Sequence, residues 1–195
     1  MIRIRTLGVA IAAVLAVGAV AASAASAHVF ETSALGITLE GKAHGSQVFK
    51  FPGVTITCTE DNMSGQPTTW EFTEHFKLAG EYKKCTSTAG TVNSISPFEY
   101  EFYAEPGIKS LKETVFLLTE AGLKCTITVP TEGPMTTVEY VDINSNTEIE
   151  AKAKLTKLKS SATGAGCHSK YTNNETGELT GNNYIKEQSG TISWK

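Results

Sequence analysis

Apolar and polar residues alternate with period two along most of the chain after residue 27, whereas the 3.6-residue period of a helix is scarce. In each alternating run one row is apolar, and the other is polar or rich in threonine. This pattern is typical of antiparallel strands with one buried face and one solvated face. The runs are residues 54–59, 70–77, 98–103, 123–129 and 149–155.

Turn-forming residues separate these runs and complete the expected fold. Residues 120–122 (Glu-Ala-Gly) are placed to close a hairpin between the runs 113–119 and 123–129. The alternation changes phase between Leu155 and Leu158, which predicts a bulge. About ten short strands at this spacing predict an all-β fold, either an antiparallel β-sandwich or a partly closed β-barrel.

One segment fits two interpretations. Ile108, Leu111, Val115 and Leu118 have the spacing of a helix face. A strand that starts at Glu113 is the favoured prediction, because the Val-Phe-Leu run within it suits a pleated surface.

The first 27 residues have the three parts of a secretory signal. Arg3 and Arg5 give a positive start, residues 7–20 are uninterruptedly apolar, and residues 25–27 (Ala-Ser-Ala) offer the small side chains that signal peptidase needs. The sequence therefore predicts cleavage before His28. A retained membrane anchor is the alternative, since the apolar run approaches the ~20 residues that span a bilayer. The abundance of alanine and glycine disfavours it.

The expected organisation is a signal peptide over residues 1–27 and a single secreted β-domain over residues 28–195. Two weakly similar stretches also fit a domain of two halves, about 28–104 and 105–195. No second apolar segment is long enough to span a bilayer, so no membrane span is expected after cleavage.

Charge and composition narrow the function classes. The formal net charge is −3, and the loss of Arg3 and Arg5 with the leader makes the mature chain more acidic. A nucleic-acid binder needs a basic stripe to neutralise phosphates, so no nucleic-acid partner is expected. Leu, Ile, Val and Phe supply only about a fifth of the mature residues, close to the ~20% below which chains tend to be disordered. Covalent links would help such a domain to fold.

Four cysteines follow the leader, and an even count in an exported chain predicts two disulfides. Cys58 and Cys125 share the phase of apolar strand residues, whereas the other two lie beside small and polar residues in segments expected to fold over a sheet end. Four cysteines allow three connectivities. A thiol nucleophile at Cys167, beside His168, is disfavoured because it needs a free thiolate. The cysteines are Cys58, Cys85, Cys125 and Cys167.

Several sequence features resemble a family of uncharacterised, secreted, β-rich proteins of soil actinobacteria. They are the Ala-rich leader and residues 48–58, 121–130, 138–142 and 164–167. An additional cysteine pair of similar proteins, near the run 98–102, is absent here. The family-like arrangement and the smaller sequence separations both favour Cys58–Cys85 and Cys125–Cys167, each tying a core strand to a later loop. The resemblance implies no known activity.

Two acidic patterns are similar to known kinds of functional site. Glu99 and Glu101 lie about 7 Å apart on one strand face, near the separation of glycosidase carboxylates, but a solvated strand face is the favoured interpretation. Residues 142–148 (Asp142 to Glu148) are similar to the start of a calcium loop, yet Thr147 replaces the turn glycine and Ala153 the bidentate glutamate. A polar hairpin turn is favoured there over weak calcium binding.

No cofactor or metal is predicted. His28, His44, His75 and His168 lack zinc-site spacing. Trp70 and Trp194 could form a platform on which a carbohydrate stacks, but burial of both side chains in the core is the favoured interpretation.

The leading functional hypothesis is a secreted, non-catalytic β-domain that acts as a binding or structural module at or outside the cell surface. A cell-wall polymer, an extracellular glycan and another protein are the open ligand classes. The alternative is an extracytoplasmic, glycosidase-like hydrolase whose carboxylates meet only in the fold. Its candidate carboxylates are Glu71, Glu99, Glu101 and Asp142.

Overall fold

A computed structural model of the protein describes residues 27–33, 37–67, 71–167 and 174–195. These residues form strands and turns, without a helix among them. The strands are β1 (Phe30–Thr32), β2 (Leu39–Ala43), β3 (Gln47–Phe51), β4 (Val54–Pro67), β5 (Phe72–Thr73), β6 (His75–Ser87), β7 (Thr91–Ile95), β8 (Phe98–Tyr103), β9 (Gly107–Ser110), β10 (Thr114–Glu120), β11 (Leu123–Val129), β12 (Val138–Ile143), β13 (Glu148–Thr163), β14 (Asn174–Glu187) and β15 (Ile192–Trp194).

The strands form two antiparallel sheets, which confirms the all-β prediction. The larger sheet has twelve strands in the order β7-β10-β11-β13-β14-β2-β4-β6-β8-β9, with β12 paired to β13 and β3 paired to both β14 and β4. The smaller sheet has the order β15-β1-β5. The first strand of the domain therefore pairs with its last.

Four strands, β4, β6, β13 and β14, are much longer than the short strands expected from the sequence. Three of them, β4, β13 and β14, change partner along one edge: β4, for example, pairs with β3 from Val54 to Cys58 and with β2 from Asn62 to Gly65. Left-handed backbone at Lys84 (φ 51°) interrupts the pairing of β6 with β4 for one position, and at Lys157 (φ 62°) it accompanies a register shift between β13 and β14. These irregularities reset the polar–apolar phase, so one long strand has the sequence pattern of separate short ones.

The long strands also join the two halves that the sequence outlines. Strand β14, from the second half, pairs with β2 and β3 from the first. Residues 28–104 and 105–195 therefore share a continuous sheet.

The inward rows build an aromatic core. Val54, Ile56 and Cys58 are buried in the predicted phase. Phe49, from β3, packs edge-to-face on Tyr82 and Phe116, with ring centroids 5.1 and 4.9 Å apart. Large rings compensate for the small number of aliphatic residues.

The β10–β11 hairpin confirms the predicted turn. Ala121 and Gly122 both have positive φ, 47° and 81°, as a two-residue hairpin turn requires. The helix interpretation of this region is wrong, because Ile108 lies in β9 and both Val115 and Leu118 lie in β10. The predicted bulge between Leu155 and Leu158 is present at Lys157.

Two apolar residues that the alternation places on the buried face are exposed. Phe72 is 53% exposed, whereas Thr73 beside it is buried. The chain passes from β5 to β6 through a bend at Glu74, and this separates the face of Phe72 from that of Phe76. Leu123 is 51% exposed because it stands directly beside the turn of the β10–β11 hairpin, opposite Glu120.

The two disulfides have the favoured pairing. Cys58 bonds to Cys85, and Cys125 bonds to Cys167. The expected loop position of Cys85 is wrong, because this residue lies within β6, directly opposite Cys58. Cys167 does follow a strand end, in the turn after β13. A chain with two such bonds belongs to an oxidising, extracytoplasmic environment. In the ranges that the structure describes, no helix has the length and apolarity to cross a membrane.

Candidate functional site

A shallow groove of about 490 Å³ runs across the outward face of β12, β13 and β14. Residues 137–139, 152–154 and 180–182 line it. The three segments are register neighbours, since Glu139 pairs with Lys152 and Lys152 pairs with Asn182. The groove therefore lies on a rigid hydrogen-bonded surface instead of on loops. Small polar ligands bind in sites of this volume.

Strand alternation makes this face polar. On β13 the even-numbered residues Glu150, Lys152 and Lys154 point outward, while Ala151 and Leu155 are buried. Gly181 lines the groove with its backbone, and its position admits no side chain on the inner side, because a Cβ added there would lie 1.7 Å from Oε1 of Gln47.

Lys152 and Glu150 form the centre of a fixed polar network. Lys152 Nζ lies 3.9 Å from Glu139 Oε1 and 3.8 Å from Glu150 Oε2. The other oxygen of Glu150 accepts a hydrogen bond from Asn182 Nδ2 at 3.2 Å. The Glu150 side chain is only 12% exposed although it lies on an outer face. Its partners therefore hold it in one orientation.

A stacked ring pair flanks the groove. His44, in the β2–β3 connection, donates its backbone N–H to Asn182 O at 2.8 Å. Its ring stacks on Tyr184 with centroids 4.0 Å apart. His44 Nδ1 lies 2.9 Å from Glu150 Oε1, and Nε2 lies 2.9 Å from the Tyr184 hydroxyl. The tautomer with its proton on Nδ1 satisfies both contacts.

The Tyr184 hydroxyl is protonated at neutral pH. Partial desolvation raises the pKa of Tyr184 above its ordinary value, and the negative charges of Glu150 and Glu148 raise it further. The groove thus offers an amide, an ammonium and a carboxylate, and the Tyr184 hydroxyl, which donates to His44 Nε2, holds the ring pair beside them. These groups can hydrogen-bond a polar ligand while the ring pair offers it an apolar face.

A separate polar cluster lies inside the core. Asp61 is buried on β4. With its amide nitrogen facing Asp61, Asn183 donates to both carboxylate oxygens at 2.8 and 3.2 Å. Desolvation raises the pKa of Asp61 to about 6, and a backbone hydrogen bond from Ala43 opposes this shift. The hydroxyls of Tyr82 and Tyr100 lie 2.9 Å apart in the same interior.

None of the four carboxylates expected from the sequence lines the groove. Glu71 is exposed, Glu99 is partly exposed, and Asp142 Oδ1 accepts the backbone N–H of Trp194 at 2.7 Å. Glu101 is buried, so the expectation of a solvated face is wrong for it. The pair Glu99 and Glu101 therefore does not share one environment.

Glu101 is covered by its neighbours on the outer face of β6 and β8. Tyr103 donates its hydroxyl to Glu101 Oε2 at 2.5 Å, and His75 Nε2 lies 3.6 Å from Oε1. This hydrogen bond is the main reason that the pKa of Tyr103 rises to about 12. Lys77 Nζ lies 3.9 Å from the same oxygen of Glu101.

Residues 142–148 form the predicted polar hairpin turn. Three successive residues, Asn144, Ser145 and Asn146, have left-handed backbone. Asn144 Nδ2 donates to Glu148 Oε2 at 2.8 Å, and Thr147 Oγ1 donates to Asn144 O at 2.8 Å. These bonds tie the side chains of Asn144, Thr147 and Glu148 to one another and fix the turn. No group of three or more His, Cys, Asp or Glu side chains is arranged to hold a metal among the described residues.

The remaining candidate site residues from the sequence either have structural roles or lie outside the residues that the structure describes. Trp194 is partly buried, donates Nε1–H to Ala104 O at 2.8 Å and stacks on His28. Trp70 and His168 lie outside the described residues. Cys167 is in a disulfide, so the thiol-nucleophile alternative is wrong.

The residues that sequence reasoning missed are His44, Glu150 and Tyr184. They are far apart along the chain, and each alone has the appearance of an ordinary exposed strand or turn residue. The polar row on residues 148–154 was visible, but nothing local indicates that a distant histidine would pack against it.

Comparison with known proteins adds no relative: no family model, no curated protein and no solved structure matches the chain. The resemblance to secreted actinobacterial proteins stays a prediction.

Proposed function

We propose that the protein is a secreted, non-catalytic β-domain that acts outside the cell as a binding module, with the groove on β12, β13 and β14 as its ligand site. The observation that carries this proposal is the network around Glu150, in which Lys152, Asn182 and His44 hold one carboxylate beside an open groove. Preorganised polar groups on strands lower the entropic cost of binding.

Export is part of this proposal. The leader, the two disulfides and the acidic net charge together fit a protein that leaves the cytoplasm.

The competing proposal is a glycosidase-like hydrolase. Such an enzyme needs two carboxylates that flank the scissile bond, with the acid in an apolar setting. Glu139 lines the groove and Glu150 lies beside it, both within 4 Å of Lys152, but Glu139 is 70% exposed and so lacks that setting. The described geometry therefore supports binding better than acid catalysis.

Binding assays with the exported mature chain test the proposal. Purified cell walls and immobilised extracellular polysaccharides are incubated with wild type and with Glu150→Gln, and the same samples are screened for hydrolysis. We expect wild type to be retained without turnover, and Glu150→Gln to be retained less. Turnover that Glu139→Gln or Glu150→Gln abolishes would establish the hydrolase instead. Equal retention of both proteins would place any binding elsewhere.

A further inference from the structure

The charges around the groove bear on the chemistry of its ligand. Lys152 lies between Glu139 and Glu150, within 4 Å of each carboxylate. With Lys154, which also lines the groove, the site and its immediate network hold two carboxylates and two ammonium groups. A site for a polyanion would carry a clear excess of positive charge. This groove matches a ligand without net charge.

The ring pair indicates a ligand with an apolar face as well as polar edges. His44 is half exposed and stacks on Tyr184, so that the pair forms a flat, partly apolar flank. Asn182 lies in the groove and contacts His44 through its backbone carbonyl, so the rings and the polar row belong to one surface. A pyranose ring has this combination of chemistry: hydroxyls around its rim and C–H groups on its faces.

The size of the groove separates a saccharide from a protein partner. The groove is formed by three short segments on neighbouring strands. A stable protein interface needs about 20–30 residues from each side, which this site does not offer. A volume of about 490 Å³ suits a few sugar rings.

From these observations we infer that the ligand is an uncharged polysaccharide, bound through a few of its sugar units across β12–β14 beside the His44–Tyr184 pair. This inference rests on the proposed binding function and specifies its ligand class. Tyr184 supplies the ring flank, and Asn182, which lines the groove, hydrogen-bonds to the ring hydroxyls. Glu150 holds Asn182 and Lys152 in place from beside the groove, and Lys152 balances the charge of the two carboxylates.

The test compares neutral and anionic polymers on an array: glucans, mannans and galactans against polygalacturonate and heparin, followed by titration calorimetry of the hits at low and high salt. We expect binding to a neutral polymer with little dependence on salt. Tyr184→Ala should weaken it about tenfold, and Tyr184→Phe should keep most of the affinity. Tyr103→Ala is the matched control, an outward tyrosine on β8 away from the groove, and it should bind as wild type does. Thermal melts confirm that each variant is folded.

The possible failures are distinguishable. Binding to anionic polymers alone, lost at high salt but sensitive to Tyr184→Ala, would reject the ligand class and leave the groove as a binding site. Retention on whole cell walls that depends on Glu150, without binding to any purified neutral polysaccharide, would do the same. Binding that Tyr184→Ala and Glu150→Gln leave unchanged would reject both the inference and the proposed site.

Discussion

Cys58 and Cys85 lie directly opposite each other on β4 and β6, with their Cα atoms 3.9 Å apart. Backbone pairing joins the same two strands from Ile56 to Pro67, so this disulfide reinforces a contact that the sheet already makes. The second disulfide differs, because Cys125 on β11 is bonded to Cys167 in the turn after β13. One bond thus locks a strand register, and the other fixes a turn to the sheet.

Each disulfide is expected to contribute substantially to the free energy of unfolding. The bonded cysteines are separated by 27 and 42 residues, and loops of these lengths correspond to about 3–4 kcal/mol each in the chain-entropy description. The double variants Cys58→Ser/Cys85→Ser and Cys125→Ser/Cys167→Ser should each lose about this amount in urea titrations. Non-reducing peptide mapping provides the control, and a peptide linking Cys58 to Cys125 would contradict the pairing.

Phe49 and Phe72 form a matched pair of phenylalanine substitutions. Phe49 is buried against Tyr82 and Phe116, so Phe49→Ala should lower the free energy of unfolding by about 3–5 kcal/mol. Phe72 is 53% exposed, so Phe72→Ala should change it by less than about 0.5 kcal/mol. Denaturant titrations of both variants check the difference. Comparable losses at the two sites would show that β5 packs differently.

The buried carboxyl of Asp61 predicts a dependence of stability on pH. Its pKa is raised from 3.8 to about 6 in the folded protein, so between these values the folded state keeps a proton that the unfolded chain has released. The free energy of unfolding therefore falls as the pH rises through this window, by an amount on the order of 1–3 kcal/mol, because the hydrogen bonds from Asn183 stabilise the charged carboxylate and oppose part of the desolvation. The contribution is intact only below the window.

Asp61→Asn removes this titration. The variant should show a flatter profile between about pH 4 and 6 and should be more stable than wild type at neutral pH, as measured by urea titration at each pH. Glu60→Gln is the control, because Glu60 is half exposed and pairs with Lys84 on the outer face. A profile for Asp61→Asn that follows wild type would assign the pH dependence to other groups.

The sequence predicted the fold class and much of the core, because burial follows local alternation. Val54, Ile56 and Cys58 are buried in the expected phase, and the turn at Ala121 and Gly122 forms as its residues require. Alternation placed Phe72 and Leu123 in the buried row, but both are exposed. A bend after β5 decides the exposure of Phe72, and the position beside the hairpin turn decides that of Leu123.

The candidate site could not be predicted in the same way. The contact of His44 with Glu150 spans 106 residues, and the contact with Tyr184 spans 140. Such contacts depend on the order of strands in the sheet, which alternation alone does not specify. The acidic pair that the sequence did single out, Glu99 and Glu101, proved to have unlike surroundings because Tyr103 and His75 cover only Glu101.

The junction of leader and domain gives the fourth prediction. The backbone nitrogen of His28 lies 3.3 Å from Glu105 Oε1, so cleavage after Ala27 would place the new ammonium group beside a carboxylate. N-terminal sequencing of the exported protein should begin at His28. Ala27→Phe should accumulate precursor, because signal peptidase needs a small residue there. Intact Met1 recovered from a membrane fraction of wild type would instead identify the leader as an anchor.

The pairing of β1 with β15 brings the two ends of the described chain together. Val29 and Lys195 exchange two backbone hydrogen bonds, at 3.0 and 2.9 Å, so residues 29 and 195 lie side by side. A short peptide joining residue 195 to residue 28 would have only a small gap to span, and the exposed turn at Ala121 and Gly122 offers a place to open new ends. The fold is thus defined by which strands are neighbours in the sheet, and it depends little on where the polypeptide chain starts.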